Sequence, residues 1–117
     1  MSKPIAITLG DPAGIGPEII VKAFRDAPEI TQGCFVVGDI ATLRRAVKTT
    51  SVNQIPLSVA LIDLPREALH MPPRCVPVFQ CGPALPLVPF GRVDAGAGRL
   101  AAECVVWAAQ SALCGDV

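Results

Sequence analysis

The chain has 117 residues, of which 51% are hydrophobic, and its 10 basic and 10 acidic residues give a formal net charge of zero. This length can bury one modest core, so we expect one domain at most. The balanced charge gives no electrostatic reason to expect nucleic acid or an anionic membrane as a partner. No apolar run approaches the roughly 20 residues that cross a bilayer, and no apolar signal segment precedes the first predicted strand. We therefore predict a soluble, cytoplasmic protein.

Strands and helices are predicted to alternate along most of the chain. Apolar runs bounded by turn residues predict the strands, and apolar side chains at three- and four-residue spacing predict the helices. In chain order the pattern predicts a strand at 5–9, a helix at 17–26, a strand at 33–37, a short helix after Gly38 and Asp39, strands at 57–62 and 75–79, and a helix at 95–113. Pro77 favours an edge position for its strand, because proline has no N–H to give to a sheet. The alternation is typical of a mostly parallel sheet with helices against it.

The predicted helix at 95–113 is mostly apolar. Its polar residues Arg99, Glu103 and Gln110 fall at offsets of four and seven, which places them on one narrow stripe. Glycine and alanine occupy many of the other positions and allow close packing. We therefore expect this helix to be covered by the sheet and by a second element, either a part of the protein missing here or another subunit.

The five cysteines are odd in number and include no Cys-x-x-Cys pair, which supports neither a disulfide framework nor a zinc knuckle. We interpret them as small buried apolar residues, with a reactive thiol as the alternative. His70 is the only histidine and lies in a Leu-His-Met-Pro-Pro stretch. Because one imidazole cannot form a metal site unaided, we interpret His70 as an ordinary loop residue.

The most informative stretch is residues 10–18, Gly-Asp-Pro-Ala-Gly-Ile-Gly-Pro-Glu, between the first strand and the first helix. Glycine permits positive φ and the close approach of another group, while proline presets its own φ. One interpretation is a tight connection, with Gly16 as the helix cap and Pro17 in the first turn. The other is a wall of a ligand site at the carboxyl end of a strand, where open α/β sheets place their ligands. The two interpretations are compatible with each other.

The glycine loop matches neither the dinucleotide fingerprint Gly-x-Gly-x-x-Gly nor a Walker A loop, because its glycines are spaced differently and no Lys-Ser/Thr follows. Asp11 and Glu18 also place two negative charges near a helix terminus that would otherwise attract an anion. We therefore favour contact by shape, or polar contact with a ribose or nicotinamide, over a phosphate cradle. Asp39 lies at the distance along the chain of a ribose ligand, but without the fingerprint we favour a helix-capping role.

Residues 7–18, Ile-Thr-Leu-Gly-Asp-Pro-Ala-Gly-Ile-Gly-Pro-Glu, resemble the N-terminal signature of the 4-hydroxythreonine-4-phosphate dehydrogenases. The Asp-Pro-Ala-Gly order differs from the related Gly-Asp-Gly-Ile-Gly-Pro-Glu turn of isocitrate and isopropylmalate dehydrogenases. Residues 91–99, Gly-Arg-Val-Asp-Ala-Gly-Ala-Gly-Arg, are similar to a second landmark of the family. The resemblance implies that residues 1–117 are the single, incomplete N-terminal α/β portion of a longer dehydrogenase. Its expected fold is part of a three-layer α/β/α sandwich with a mostly parallel sheet, like that of isocitrate and isopropylmalate dehydrogenases.

The resemblance also implies a chemistry. Members oxidise 4-phosphooxy-threonine with NAD or NADP to a 2-amino-3-oxo acid, which decarboxylates to 3-amino-2-oxopropyl phosphate in pyridoxal phosphate (vitamin B6) biosynthesis. They are homodimers and hold a divalent metal (Zn, Mg or Co) with histidines from later segments. No metal ligand or catalytic residue is therefore carried over to this chain, which we predict to be inactive alone. Among the residues present, we predict that Gly10, Asp11, Gly14 and Gly16 line the cofactor or substrate cleft.

Three alternatives stay open beside this interpretation. A paralogue of the family would act on erythronate 4-phosphate or threonate 4-phosphate. A non-catalytic binding module would keep the turn and the sheet without the chemistry. An isopropylmalate-type dehydrogenase ranks last because of Pro12 and Ala13.

Overall fold

The computed structural model describes residues 2–51, 55–84, 87, 89, 91–92 and 94–117. Its strands are β1 (Ile5–Thr8), β2 (Cys34–Gly38), β3 (Ser58–Ile62) and β4 (Cys75–Gln80). Its helices are α1 (Gly16–Asp26), α2 (Pro28–Thr31), α3 (Ile40–Thr50) and α4 (Ala95–Leu113), with a 3-10 helix at Pro65–His70. Each predicted strand and helix is confirmed, and α4 has the predicted bounds. The short helix α2 and the 3-10 helix lie in segments where the sequence predicts no element.

The four strands form one parallel sheet in the order β1-β2-β4-β3. Successive side chains of a strand point to opposite faces, so each face collects its own core. The core on the side of α1 and α3 includes Leu9, Val21, Phe24, Val36, Leu43, Val76 and Val78. The core on the side of α4 and the 3-10 helix includes Phe35, Val37, Ile62, Ala68, Leu100 and Cys104. Helices therefore cover both faces of a parallel sheet, which confirms the predicted α/β class.

Pro77 lies in β4, between β2 and β3, so the prediction of an edge position for its strand is wrong. Successive residues of a parallel strand bond to alternate neighbours. The Cys81 amide donates to the Gly38 carbonyl of β2 at 3.0 Å, so Pro77, four residues earlier, also faces β2. The β2–β4 register begins one residue later, at Val78. This central strand accommodates the proline because its pairing with β2 starts after that position.

One side of α4 packs onto the sheet and the other side is exposed. The Trp107 ring stacks on Phe79 with the centroids 4.3 Å apart. On the outer side Val105 is 56% and Leu113 is 89% exposed. The sheet thus supplies one cover in the described part of the chain, and the second cover stays a prediction. Although α4 is mostly apolar, neither it nor any other helix among the described residues could cross a membrane.

The cysteines differ in burial. Cys34, Cys81 and Cys104 are buried and Cys75 is half-buried, whereas Cys114 is exposed. The interpretation of all five as buried apolar residues is therefore wrong for Cys114. Cys114 is the C-cap of α4 and follows Leu113, which is 89% exposed.

Candidate functional site

Three strand ends meet at the carboxyl edge of the sheet. The glycine loop, residues 10–15, follows β1, while Asp39 follows β2 and Cys81 follows β4. The Leu9 amide donates to the Val37 carbonyl at 3.0 Å, which holds the start of the loop beside the end of β2. Parallel α/β sheets place their ligands at this edge. The glycine loop therefore lies in the position of a ligand site.

Gly10 in the loop and Gly16 directly after it are required for different reasons. Gly10 has φ +77°, a left-handed conformation that favours glycine. Gly16 is the first residue of α1, and a Cβ there would lie 2.7 Å from the Leu9 carbonyl oxygen. The cap of α1 is Ile15, without a side-chain capping bond, so the prediction of Gly16 as the cap is wrong by one residue. Pro17 lies in the first turn, as predicted.

The middle of the loop is a tight turn closed by its own groups. One carboxylate oxygen of Asp11 accepts a hydrogen bond from the Ala13 amide at 2.9 Å. The Asp11 carbonyl accepts one from the Gly14 amide at 3.0 Å. The Asp11 side chain thus shapes the turn, and two backbone amides of the loop are already occupied.

Two distant residues anchor this turn from outside. Arg45, on α3, donates from Nη2 to the Pro12 carbonyl at 3.1 Å. The Gly91 amide donates to the Ala13 carbonyl at 2.8 Å. Gly91 opens the second stretch, 91–99, that carried the family resemblance, so the structure brings the two stretches into contact. Nothing in the local sequence pattern around Arg45 predicted its role.

Asp39 is a buried helix cap. Its side chain is almost fully buried, at 1% exposed. Oδ2 accepts hydrogen bonds from the Thr42 amide at 3.1 Å and from the Thr42 hydroxyl at 2.9 Å. Oδ1 accepts one from Gln80 Nε2 at 3.0 Å, and Gln80 Oε1 accepts one from the Ile40 amide at 2.9 Å. The bond from the Thr42 amide confirms the capping role, and the burial of Asp39 argues against a contact with a ribose.

A cavity of about 190 Å³ opens at this edge between the end of β4 and the start of α4. Its lining residues are Cys81, Pro83, Gly96, Arg99, Leu100 and Glu103. The neighbouring Cys104 is fully buried, and this burial, with a contribution from the Cys81 thiol, raises its pKa to about 12. This environment disfavours the thiolate form of Cys104, the form that acts as a nucleophile.

The carboxyl edge exposes backbone at Gly10, and the described residues include no cluster of metal ligands. Gly10 is exposed, and a Cβ there would meet no atom within 4 Å, so bare backbone faces open space. No group of three or more His, Cys, Asp or Glu side chains that could hold a metal occurs among the described residues. His70 ends the 3-10 helix that precedes β4, so it lies near the opposite edge of the sheet.

The relatives found by comparison with known proteins include dehydrogenases of two names. A D-threonate 4-phosphate dehydrogenase of Salmonella typhimurium is 41% identical over 118 residues, covering 99% of the chain and 35% of the relative. That of Pectobacterium atrosepticum is 37% identical over 117 residues, covering 100% of the chain and 35% of the relative. A 4-hydroxythreonine-4-phosphate dehydrogenase of Trichlorobacter lovleyi is 34% identical over 116 residues, with 97% and 33% covered. The chain is a homologue of these dehydrogenases.

Solved structures agree with these relatives. A 4-hydroxythreonine-4-phosphate dehydrogenase from Klebsiella pneumoniae matches with a TM-score of 0.85 at 38% identity, over 99% of the chain and 35% of that protein. The enzyme of the same name from Burkholderia phymatum matches with a TM-score of 0.83 at 29% identity, over 100% of the chain and 35% of that protein. No protein-family model matches the chain. The chain spans about a third of the length of the curated relatives and solved structures that it matches.

Proposed function

We propose that the chain forms the glycine-loop part of an NAD(P)-dependent dehydrogenase that oxidises a phosphorylated four-carbon hydroxy acid. The observation that carries this proposal is the glycine loop itself, which stands at the carboxyl edge of a parallel sheet with an exposed backbone at Gly10. The names of the homologues supply two candidate substrates, 4-hydroxythreonine 4-phosphate and D-threonate 4-phosphate. With the first substrate, the product would enter pyridoxal phosphate biosynthesis.

In this proposal Gly10, Asp11, Gly14 and Gly16 line the cleft for the cofactor or the substrate. Gly10 presents bare backbone, Asp11 and Gly14 close the turn, and Gly16 lets α1 start directly beside the end of β1. The bound nicotinamide would accept the hydride. A divalent metal would come from residues outside this chain, because the described residues do not form a metal centre. The complete enzyme would be a cytoplasmic homodimer.

A chimera tests the proposal. Residues 1–117 would replace the homologous segment of the Salmonella typhimurium enzyme, which is 41% identical over 118 residues. We expect the chimera to reduce NAD or NADP, measured by absorbance at 340 nm, with one of the two substrates. A chimera that folds, by circular dichroism and thermal melting, but reduces neither cofactor with either substrate would contradict the proposal and favour the non-catalytic binding module.

Matched asparagine variants in the chimera test the assigned loop. Gly10 and Gly33 have φ +77° and φ +81°, and asparagine is the residue other than glycine that best tolerates this conformation. Gly33 precedes β2, at the opposite edge of the sheet. We expect Gly10→Asn to raise the KM for the cofactor or the substrate by about tenfold or more, the cost of one lost or obstructed contact. Gly33→Asn should leave both KM values unchanged, and equal effects of the two variants would refute the assignment.

A further inference from the structure

A larger cavity, of about 320 Å³, lies at the amino edge of the sheet, opposite the glycine loop. The segment between α1 and β2 forms one side, and the end of the 3-10 helix with the segment before β4 forms the other. Its volume falls at the lower end of the range of small-molecule sites. No part of the proposed dehydrogenase function uses this edge.

The floor of this amino-edge cavity contains a gap in the sheet. Cys34 and Pro77 both line the cavity. Directly after β4 the Cys81 amide donates to the Gly38 carbonyl of β2. The bonding pattern repeats every two residues along both strands, so the residue at position 77 would donate to the Cys34 carbonyl. Proline has no N–H, so the sheet bond that any other residue would give to this carbonyl is missing. Cys34 is buried, and a buried carbonyl without its donor favours a hydrogen-bond donor from another source.

The walls of the cavity select the kind of molecule that could supply this donor. Phe24, Leu69 and Met71 give apolar surface, which favours a flat apolar body. The exposed rim carries one acidic and one basic residue, Glu29 and Arg74. These charges balance, so the rim favours a ligand without net charge. Arg74 has φ +60°, unusual for a residue other than glycine, and backbone strain of this kind is frequent at ligand sites.

We propose that the amino-edge cavity binds a small, neutral, planar heteroaromatic molecule that donates an N–H to the Cys34 carbonyl. The ring lies against Phe24 and Met71, and its N–H takes the place of the bond that Pro77 cannot make. This site is separate from the carboxyl edge, so it does not depend on the proposed dehydrogenase function.

Indole and benzofuran form a matched pair of probes, because they share the bicyclic shape and only indole carries an N–H. The 15N-labelled full chain would be titrated with each probe by NMR. We expect indole to shift the amides of Gly33 and Cys75, with an affinity about two- to tenfold above that of benzofuran, the difference that one net hydrogen bond makes. Equal affinities, or shifts confined to other parts of the chain, would overturn the proposal.

Pro77→Val tests the missing bond directly, because valine restores the N–H facing Cys34. We expect the preference for indole over benzofuran to disappear in this variant and to persist in Pro73→Val, which changes the cavity rim without supplying a sheet donor. Persistence of the preference in folded Pro77→Val would also overturn the proposal. If Pro77→Val does not fold, the comparison of the two probes on the unaltered chain still decides it.

Discussion

The close approach at the start of α1 predicts that Gly16 cannot be replaced even by alanine. A Cβ on this residue would lie 2.7 Å from the Leu9 carbonyl oxygen, a separation that real structures essentially never show. The obstacle is a backbone atom at the end of β1, so no side chain can rotate away. Relief of the contact requires α1 to move away from the strand.

Two effects oppose each other in Gly16→Ala. Overpacking of this kind costs about 1–3 kcal/mol. Alanine in a helix interior gains at most about 1 kcal/mol over glycine, and less at the first helical residue. The clash therefore wins, and the net loss is about 1–2 kcal/mol, which corresponds to a fall of about 4–8 °C in Tm for a chain of this length.

Gly98→Ala is the matched control. Gly98 lies in α4, and a Cβ there would meet no atom within 4 Å. Only the propensity term remains, so we expect a gain of about 0.5–1 kcal/mol. Urea denaturation of both variants, followed by far-ultraviolet circular dichroism, measures the free energy of unfolding. If Gly16→Ala were as stable as the unaltered chain or as Gly98→Ala, the close approach of α1 to β1 would be refuted.

Three further outcomes are expected. Asp39→Ala should lower the free energy of unfolding by about 2–4 kcal/mol, since it removes a helix cap and leaves a buried partner unsatisfied. Asp94→Ala removes an exposed cap and should lower it by only about 0.5–2 kcal/mol. Equal losses in the two variants would contradict the buried network around Asp39. Iodoacetamide should alkylate Cys114 of the native chain first, because it is the exposed thiol, and mass mapping that finds another cysteine modified earlier would count against the fold. The pKa of Glu67 lies below its usual value because its carboxylate accepts the backbone amides of Leu64 and Asp63, so its contribution to stability is present above about pH 4.5 and is lost as the pH falls through the lowered pKa. The Tm advantage over Glu67→Gln should therefore shrink towards pH 3, and a constant difference would refute this sign.

The sequence predicted those elements that depend on interactions between residues close together in the chain. The bounds of α4 were predicted from a long, mostly apolar run that is rich in alanine and contains no proline. The capping role of Asp39 follows in the same way, because the bond to Thr42 spans three residues. Such interactions depend on neighbours in sequence and are read directly from it.

The strand order could not be predicted, and the error at Pro77 follows from that. A proline predicts an edge strand because it cannot donate a hydrogen bond to a neighbouring strand. The sequence pattern does not show which neighbour of β4 would lose that bond, or that the pairing with β2 begins only at Val78. The bond from Gln80 to Asp39 spans 41 residues and that from Arg45 to Pro12 spans 33. The first pair meets because β4 lies beside β2 in the sheet, and the second because α3 packs against α1, which follows the glycine loop.

The anchoring of the glycine loop also bears on what the loop can bind. A phosphate cradle needs several backbone amides that point at the anion. Here the Ala13 and Gly14 amides are already bonded within the turn by Asp11, and the carboxylate of Asp11 adds negative charge. The contact from Gly91 then fixes the turn from outside. A turn bonded in this way has two amides fewer to offer to an anion, which supports the expectation that the loop recognises its ligand by shape and not by capture of a phosphate.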